Sequence, residues 1–293
     1  VDHYTPTPIA SPSREVNYDR FSDMLPYLAW IPDRRLFILE GDVPQKVDGI
    51  GFCLEMTPQT GATPDMADLL TTIFTYLPKG SGIQWSLIAT PLIDRFLAGY
   101  VGARLDPAEA TSKEERERRE LFRALAERQA EHFRKGATDP VVPNQPYLLR
   151  DFRIVMSVVI PANSFNDEDF LNEIESIRET CATTLKTYYQ FDRDWGPEDL
   201  INWCAVVLNP QETILKRNAP HINYDKGRPI KEQIVAPNTV MRVTEDGLVY
   251  GLPQRKNECI AKCMSVRSYP KACTLNAMGS LIVDYMQPAF GYT

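Results

Sequence analysis

The sequence predicts an α+β fold: a mainly antiparallel sheet with amphipathic helices packed on it, arranged as two lobes. Three observations carry this. Short runs alternate with a period of two, as in Ile50, Phe52, Leu54 and Met56. Longer segments repeat apolar residues three and four apart. A polar, proline-bearing stretch at 210–237 separates these patterns into two groups. The first lobe, 16–209, is expected as β-β-α-β-α-β-α. The stretch 210–237 is a linker, and 238–293 a second, small α+β lobe cut short at its C-terminal end.

Residues 1–15, rich in Pro, Ser and Thr, predict a disordered arm. The run LFIL at 36–39 and the alternation at 50–56 predict two strands joined by a long Pro/Gly-containing loop. Thr63-Pro64-Asp65 then supplies an N-cap, a proline at the first helical position and an early acid. Met66, Leu69, Leu70, Ile73, Phe74 and Leu77 continue at helical spacing. After the Pro78-Lys79-Gly80 break, Ile83, Trp85, Leu87 and Ala89 alternate with polar residues as a third strand.

The segment 113–135 is dense in helix formers, with Glu114 and Glu115 each four residues ahead of an arginine. Its narrow apolar stripe of Leu121, Phe122, Leu125 and Phe133 predicts a long, solvated helix lying across the sheet or projecting from it. The nearly continuous apolar run at 153–160 predicts a central strand covered on both faces. Two amphipathic helices follow. One carries Phe170, Ile174, Ile177, Cys181, Leu185 and Tyr188; the other starts at Gly196-Pro197-Glu198 and ends before Asn209-Pro210. In the second lobe, 240–244 and 248–250 flank Glu245-Asp246-Gly247 as a hairpin. A strand is expected from 260 to 266, and a closing amphipathic helix over 275–286.

The 293 residues carry 32 Lys and Arg against 39 Asp and Glu, a formal charge of −7. That balance argues against a protein built mainly to grip nucleic-acid phosphates, where affinity comes from basic residues releasing counterions. No apolar run approaches the roughly 20 residues of a spanning helix. The start, VDHYTPTPIASPSREVN, has neither an initiator Met nor an apolar signal core, and the end, AFGYT, follows directly on the last helix pattern. Both ends are expected to be boundaries within a longer protein. The six cysteines fall mostly in apolar patterns, where a thiol is a small hydrophobe, so a reducing compartment is expected.

The motifs of common catalytic chemistry are missing. G-x-x-x-x-G-K-[ST], whose glycines let backbone N–H groups wrap phosphates, does not occur. Lys79-Gly80-Ser81-Gly82 places its lysine ahead of the glycines and leads into a strand, which is turn chemistry. G-x-S-x-G and G-x-G-x-x-G are also missing. Of three histidines, His3 lies in the arm and His132 on the charged helix, and His221 is a loop residue suited to hydrogen bonding or capping. Cys259, Cys263 and Cys273 want a fourth ligand, and on a strand the first two would stand about 13 Å apart. Neither catalytic, cofactor nor metal residues are expected. The one candidate interaction surface is the basic loop of Lys216, Arg217, Lys226, Arg228 and Lys231, which could meet nucleic acid or anionic lipid but also holds Asp225 and Glu232.

Five blocks, in order, resemble the N-terminal region of the TraC family of F-type conjugative type IV secretion ATPases. They are FSDMLPYLAW (21–30), LFILEGD with GIGFCLEMTPQTG (36–61), LPKGSGIQWSLIAT (77–90), YLLRDFRIVMSVVI (147–160), and SVRSYP with MGSLIVDYM (265–286). The resemblance implies a non-catalytic portion upstream of a motor domain that carries the Walker motifs and takes ATP and Mg. It further implies a cytoplasmic protein, peripheral at the inner membrane, that docks the motor to inner-membrane subunits for pilus assembly and DNA transfer and self-associates through the full-length motor. The competing readings are a stand-alone α/β enzyme without a recognisable motif, and a nucleic-acid-binding module using the 216–231 loop.

Overall fold

The structure, a computed structural model, describes residues 21–262 apart from 44–45, 59–62, 105, 143–146, 189–190, 215–219, 238, 246 and 252–257. The predicted arm at 1–15 and closing helix at 275–286 lie outside the described residues, as do Lys216, Arg217, Cys263 and Cys273.

A 3-10 turn at Phe21–Met24 leads into β1 (Tyr27–Ile31), β2 (Leu36–Glu40) and β3 (Val47–Met56), an antiparallel meander. The hairpin between β1 and β2 places Arg35 at a positive φ of 56°. Next comes α1 (Pro64–Tyr76), capped as its sequence requires: the Thr63 hydroxyl accepts from the Met66 N–H at 3.3 Å, with Pro64 opening the helix. Then β4 (Gly82–Thr90), α2 (Asp94–Gly102), a 3-10 turn at Pro107–Glu109, α3 (Lys113–Gly136) and β5 (Asp151–Pro161) follow. After them come α4 (Glu168–Tyr188), β6 (Phe191–Asp194), α5 (Pro197–Leu208), α6 (Pro210–Thr213) and α7 (Lys231–Ile234). A separate three-stranded antiparallel sheet comprises β7 (Met241–Thr244), β8 (Gly247–Tyr250) and β9 (Cys259–Ala261).

The main sheet runs β1-β2-β3-β5-β4, with β6 also paired to β3. β2 occupies one side of β3 at its first half, β6 takes the same side at its second half, and β5 covers the other side from Gly49 to Met56. β3 and β4 both pair antiparallel with β5, so they are parallel to each other with β5 between them. By the same logic β5 and β6 are parallel across β3. The run β3-α1-β4-β5-α4-β6 is thus two interlocked split βαβ units in spatial order β6-β3-β5-β4, the ferredoxin-like arrangement. The hairpin of β1 and β2 extends it, and α2 and α3 are inserted between β4 and β5.

Side-chain alternation gives the two faces of the sheet different coverings. Phe52, Leu54 and Met56 of β3 and Met156, Val158 and Ile160 of β5 face α1 and α4, packing on Ile73, Ile174, Cys181 and Leu185. Each of these large side chains is almost wholly buried, a gain of about 1.5–3 kcal/mol apiece. On the other face Val155 packs with Trp195, Leu200 and Ile201 around α5, and with Ile230 and Ile234 around α7.

This second core includes residues from 210–237. Ile230 and Ile234 are fully buried, and the Ile230 N–H donates to the Leu28 carbonyl at 3.0 Å. Within its described part, the stretch 210–237 thus contributes Ile230 and Ile234 to the core around α5. In the first lobe the structure adds β1, β6 and the α2 helix to the predicted elements.

Candidate functional site

Of the five basic residues singled out in the loop, three are described. Asp225 shapes the turn that carries Lys226 and Arg228: its carboxylate accepts from the Gly227 N–H at 2.8 Å and its carbonyl from the Arg228 N–H at 3.2 Å. The Gln233 amide closes the loop by donating to the Asp225 and Arg228 carbonyls, each at 2.9 Å. Lys226 and Arg228 are exposed, but the Arg228 guanidinium sits 4.0 Å from Glu232. Lys231 turns inward, and its ammonium pairs with Glu40 at the end of β2. The structure therefore does not gather these three cations on one surface.

A cavity of about 390 Å³ lies between the second face of the sheet and α5. It exists because small residues floor it: Gly49, Gly51 and Cys53 on β3, Ser86 on β4 and Ser157 on β5, beneath Leu200, Trp203 and Cys204. The Cys53 thiol donates to the Ser157 hydroxyl at 3.4 Å. Burial pushes the Cys53 thiol up to about 11 despite that bond, and the Cys204 thiol up to about 12, with the nearby Cys53 adding to the effect. Burial, with the two thiols beside it, raises the Tyr27 hydroxyl as well. Both shifts disfavour the thiolate, which is the nucleophilic form.

A cluster of charged residues around Glu55 and Asp151 lies on the same sheet. Glu55 on β3 accepts from the Trp195 indole N–H at 2.6 Å and from Arg193 at 3.3 Å, with Arg95 and Arg153 each 3.7 Å away. Asp151, at the start of β5, takes Arg153 at 2.6 Å and Arg95 at 3.2 Å. Both carboxylates are buried, and their oxygens are taken up by guanidinium and indole donors, which satisfies two acids that could not otherwise be desolvated. Arg95 belongs to α2, so the cluster bolts the helical insertion to the sheet. Sequence reading missed it; charged residues inside otherwise apolar strand patterns, Glu55 and Arg153, were the available signal. Among the described residues no three of His, Cys, Asp and Glu converge as a metal site, and His132 and His221 are exposed.

These features define a mixed α+β domain whose distinct charged and polar clusters tie elements together. A family model for the TraC protein matches residues 21–291. The chain belongs to the TraC family, and with it to the components of conjugative type IV secretion. No curated protein and no solved structure matches. Among the described residues no helix is long and apolar enough to cross a membrane.

Proposed function

We propose that this chain is the non-catalytic N-terminal part of a TraC-family ATPase and that it docks the motor to the inner-membrane complex for pilus assembly and DNA transfer. The observation that carries this reading is the pairing of a family match over 21–291 with a sequence that contains no G-x-x-x-x-G-K-[ST]. ATP and Mg then belong to a motor domain outside these residues, which also drives self-association, and the whole protein sits at the cytoplasmic face of the inner membrane. The saturated Glu55 and Asp151 and the protonated thiols agree with a scaffold role. The nucleic-acid reading loses Lys231 to its pair with Glu40.

The test is capture. Immobilised chain should retain the inner-membrane subunits of its own transfer system from detergent extract. Retention by the full-length ATPase but not by this chain would refute the docking role, and ATP binding by this chain alone would refute the non-catalytic one.

A further inference from the structure

The inserted helices are unequal: α2 has nine residues and α3 has 24, about 13 Å against about 36 Å at the helical rise. They pack together through Leu97, Ala130 and Phe133, close to the sheet where Arg95 anchors α2. Beyond that contact α3 outruns its neighbour, and its apolar side chains are left open to solvent: Leu121 is 59% exposed, Phe122 54% and Leu125 51%. Single exposed apolar residues are ordinary, but three within five positions on one helix form a stripe.

Between this stripe and the end of α2 lies a groove of about 600 Å³. Phe122, Leu125 and Ala126 line it as apolar surface, and Arg104, Arg118 and Arg119 bring three guanidiniums to it, while among the described residues no carboxylate lines it. Arg104 stacks over the Tyr100 ring at 4.9 Å. Arg118 is exposed and makes no ion pair among the described residues. Arg119 is held by Glu115 at 2.5 Å and by the Asp106 carbonyl at 2.8 Å, yet its buried Nε–H has no acceptor among the described residues. Arg104 and Arg118, neither of them ion-paired among the described residues, beside an apolar floor make a surface complementary to carboxylates flanking apolar residues.

We propose that this groove docks an acidic amphipathic helix of another protein, its apolar stripe on Phe122 and Leu125 and its carboxylates on Arg104 and Arg118. Charge selects this occupant. A second copy of the chain docking by this same patch would set these guanidiniums against their own counterparts. Its own segment 275–286 offers one acid, Asp284, to three guanidiniums. The proposal rests on the docking reading and supplies its surface.

The test uses the full chain and fluorescein-labelled synthetic helices that share one Leu/Phe stripe and carry glutamate, glutamine or lysine on its flanks, read by anisotropy. The glutamate helix should bind and the lysine helix should not, with affinity falling as salt rises. Arg118→Glu, and Phe122→Ser with Leu125→Ser, should each weaken binding at least tenfold with unchanged thermal melting, because these side chains are exposed. Equal affinity for glutamate and lysine helices, binding of no helix, or unchanged affinity in both variants overturns the proposal. So does a dimer of the parent that these variants dissolve, which makes a second copy the occupant. A gain in affinity on Leu281→Ser with Ile282→Ser also overturns it, by assigning the groove to 275–286. If the glutamate helix binds while no inner-membrane subunit is captured, the docking reading fails and the groove's specificity stands. If capture survives intact in Arg118→Glu, the groove is not the docking surface.

Discussion

Lys231 and Glu40, 191 positions apart in the sequence, form an ion pair inside the protein that joins α7 to the end of β2. Both side chains are nearly buried, so each charge depends on its partner for what water no longer supplies. Removing one partner should therefore cost more than the pair itself is worth. Lys231→Ala is expected to lower unfolding free energy by about 3–5 kcal/mol, and Glu40→Leu combined with Lys231→Met should recover most of that loss. Urea midpoints of the two variants and the parent decide it; a double variant as weak as the single one would contradict it.

Trp195 predicts a smaller effect of the same kind. Its indole is the shortest contact to Glu55, and Phe fills most of the same volume without the donor. Arg193 stays beside the carboxylate, so Trp195→Phe should cost about 1.5–3 kcal/mol, the scale of one hydrogen bond to a charged group. A chemical-denaturation shift within a few tenths of zero would show that the bond contributes nothing net.

How much of this was legible depended on whether the causes were local. Thr63-Pro64 fixed the start of α1 because capping is decided within four residues, and the apolar run of β5 followed from its position between two strands. β6 was not legible: FDRD has no alternation of its own and forms a strand because α4 returns the chain to the vacant half of β3. The helix α2 was hidden by Gly99 and Gly102. Ile230 and Ile234 lie in a stretch whose composition is polar and proline-bearing, and Lys231 between them counts by sequence among the basic residues of the loop. Which way that lysine turns is set by Glu40, and no local pattern encodes a partner so distant. The groove on α3 was half legible, since the stripe is visible in the sequence, whereas the empty space beside it depends on where α2 stops.

Gly51 marks how closely β3 and β5 approach. A Cβ built at that position would stand 2.4 Å from the Val158 carbonyl oxygen, a backbone atom that cannot step aside without shifting a strand. Gly51→Ala should therefore destabilise by about 1–3 kcal/mol or more, the cost of overpacking. At Gly82, the first residue of β4, nothing lies within 4 Å of the same added carbon. Gly82→Ala is thus the control, and thermal melting of the two variants should separate clearly. Equal melting would mean that the strands accommodate the methyl group.

The two cavity thiols predict a pH dependence with a definite sign. Cys53 is raised from 9.0 to about 11 and Cys204 from 9.0 to about 12, so the folded protein holds both protons more tightly than the unfolded chain does. Below pH 9 both states are protonated and the burial of neutral thiols counts in full. Above it the unfolded chain ionises first, and stability falls as pH rises through 9 toward the folded values, at up to about 1.4 kcal/mol per pH unit for each thiol. Tyrosines and lysines titrate in the same range, so the measurement is a difference: urea midpoints from pH 8 to 10.5 for the parent and for Cys53→Ala with Cys204→Ala. The variant should lose less stability per pH unit than the parent. In parallel, iodoacetamide at pH 8 should label these cysteines far more slowly in the native protein than in urea, because it reacts with the thiolate. Rapid native labelling at Cys53, or parallel pH slopes in parent and variant, would show that the cavity does not hold its thiols protonated.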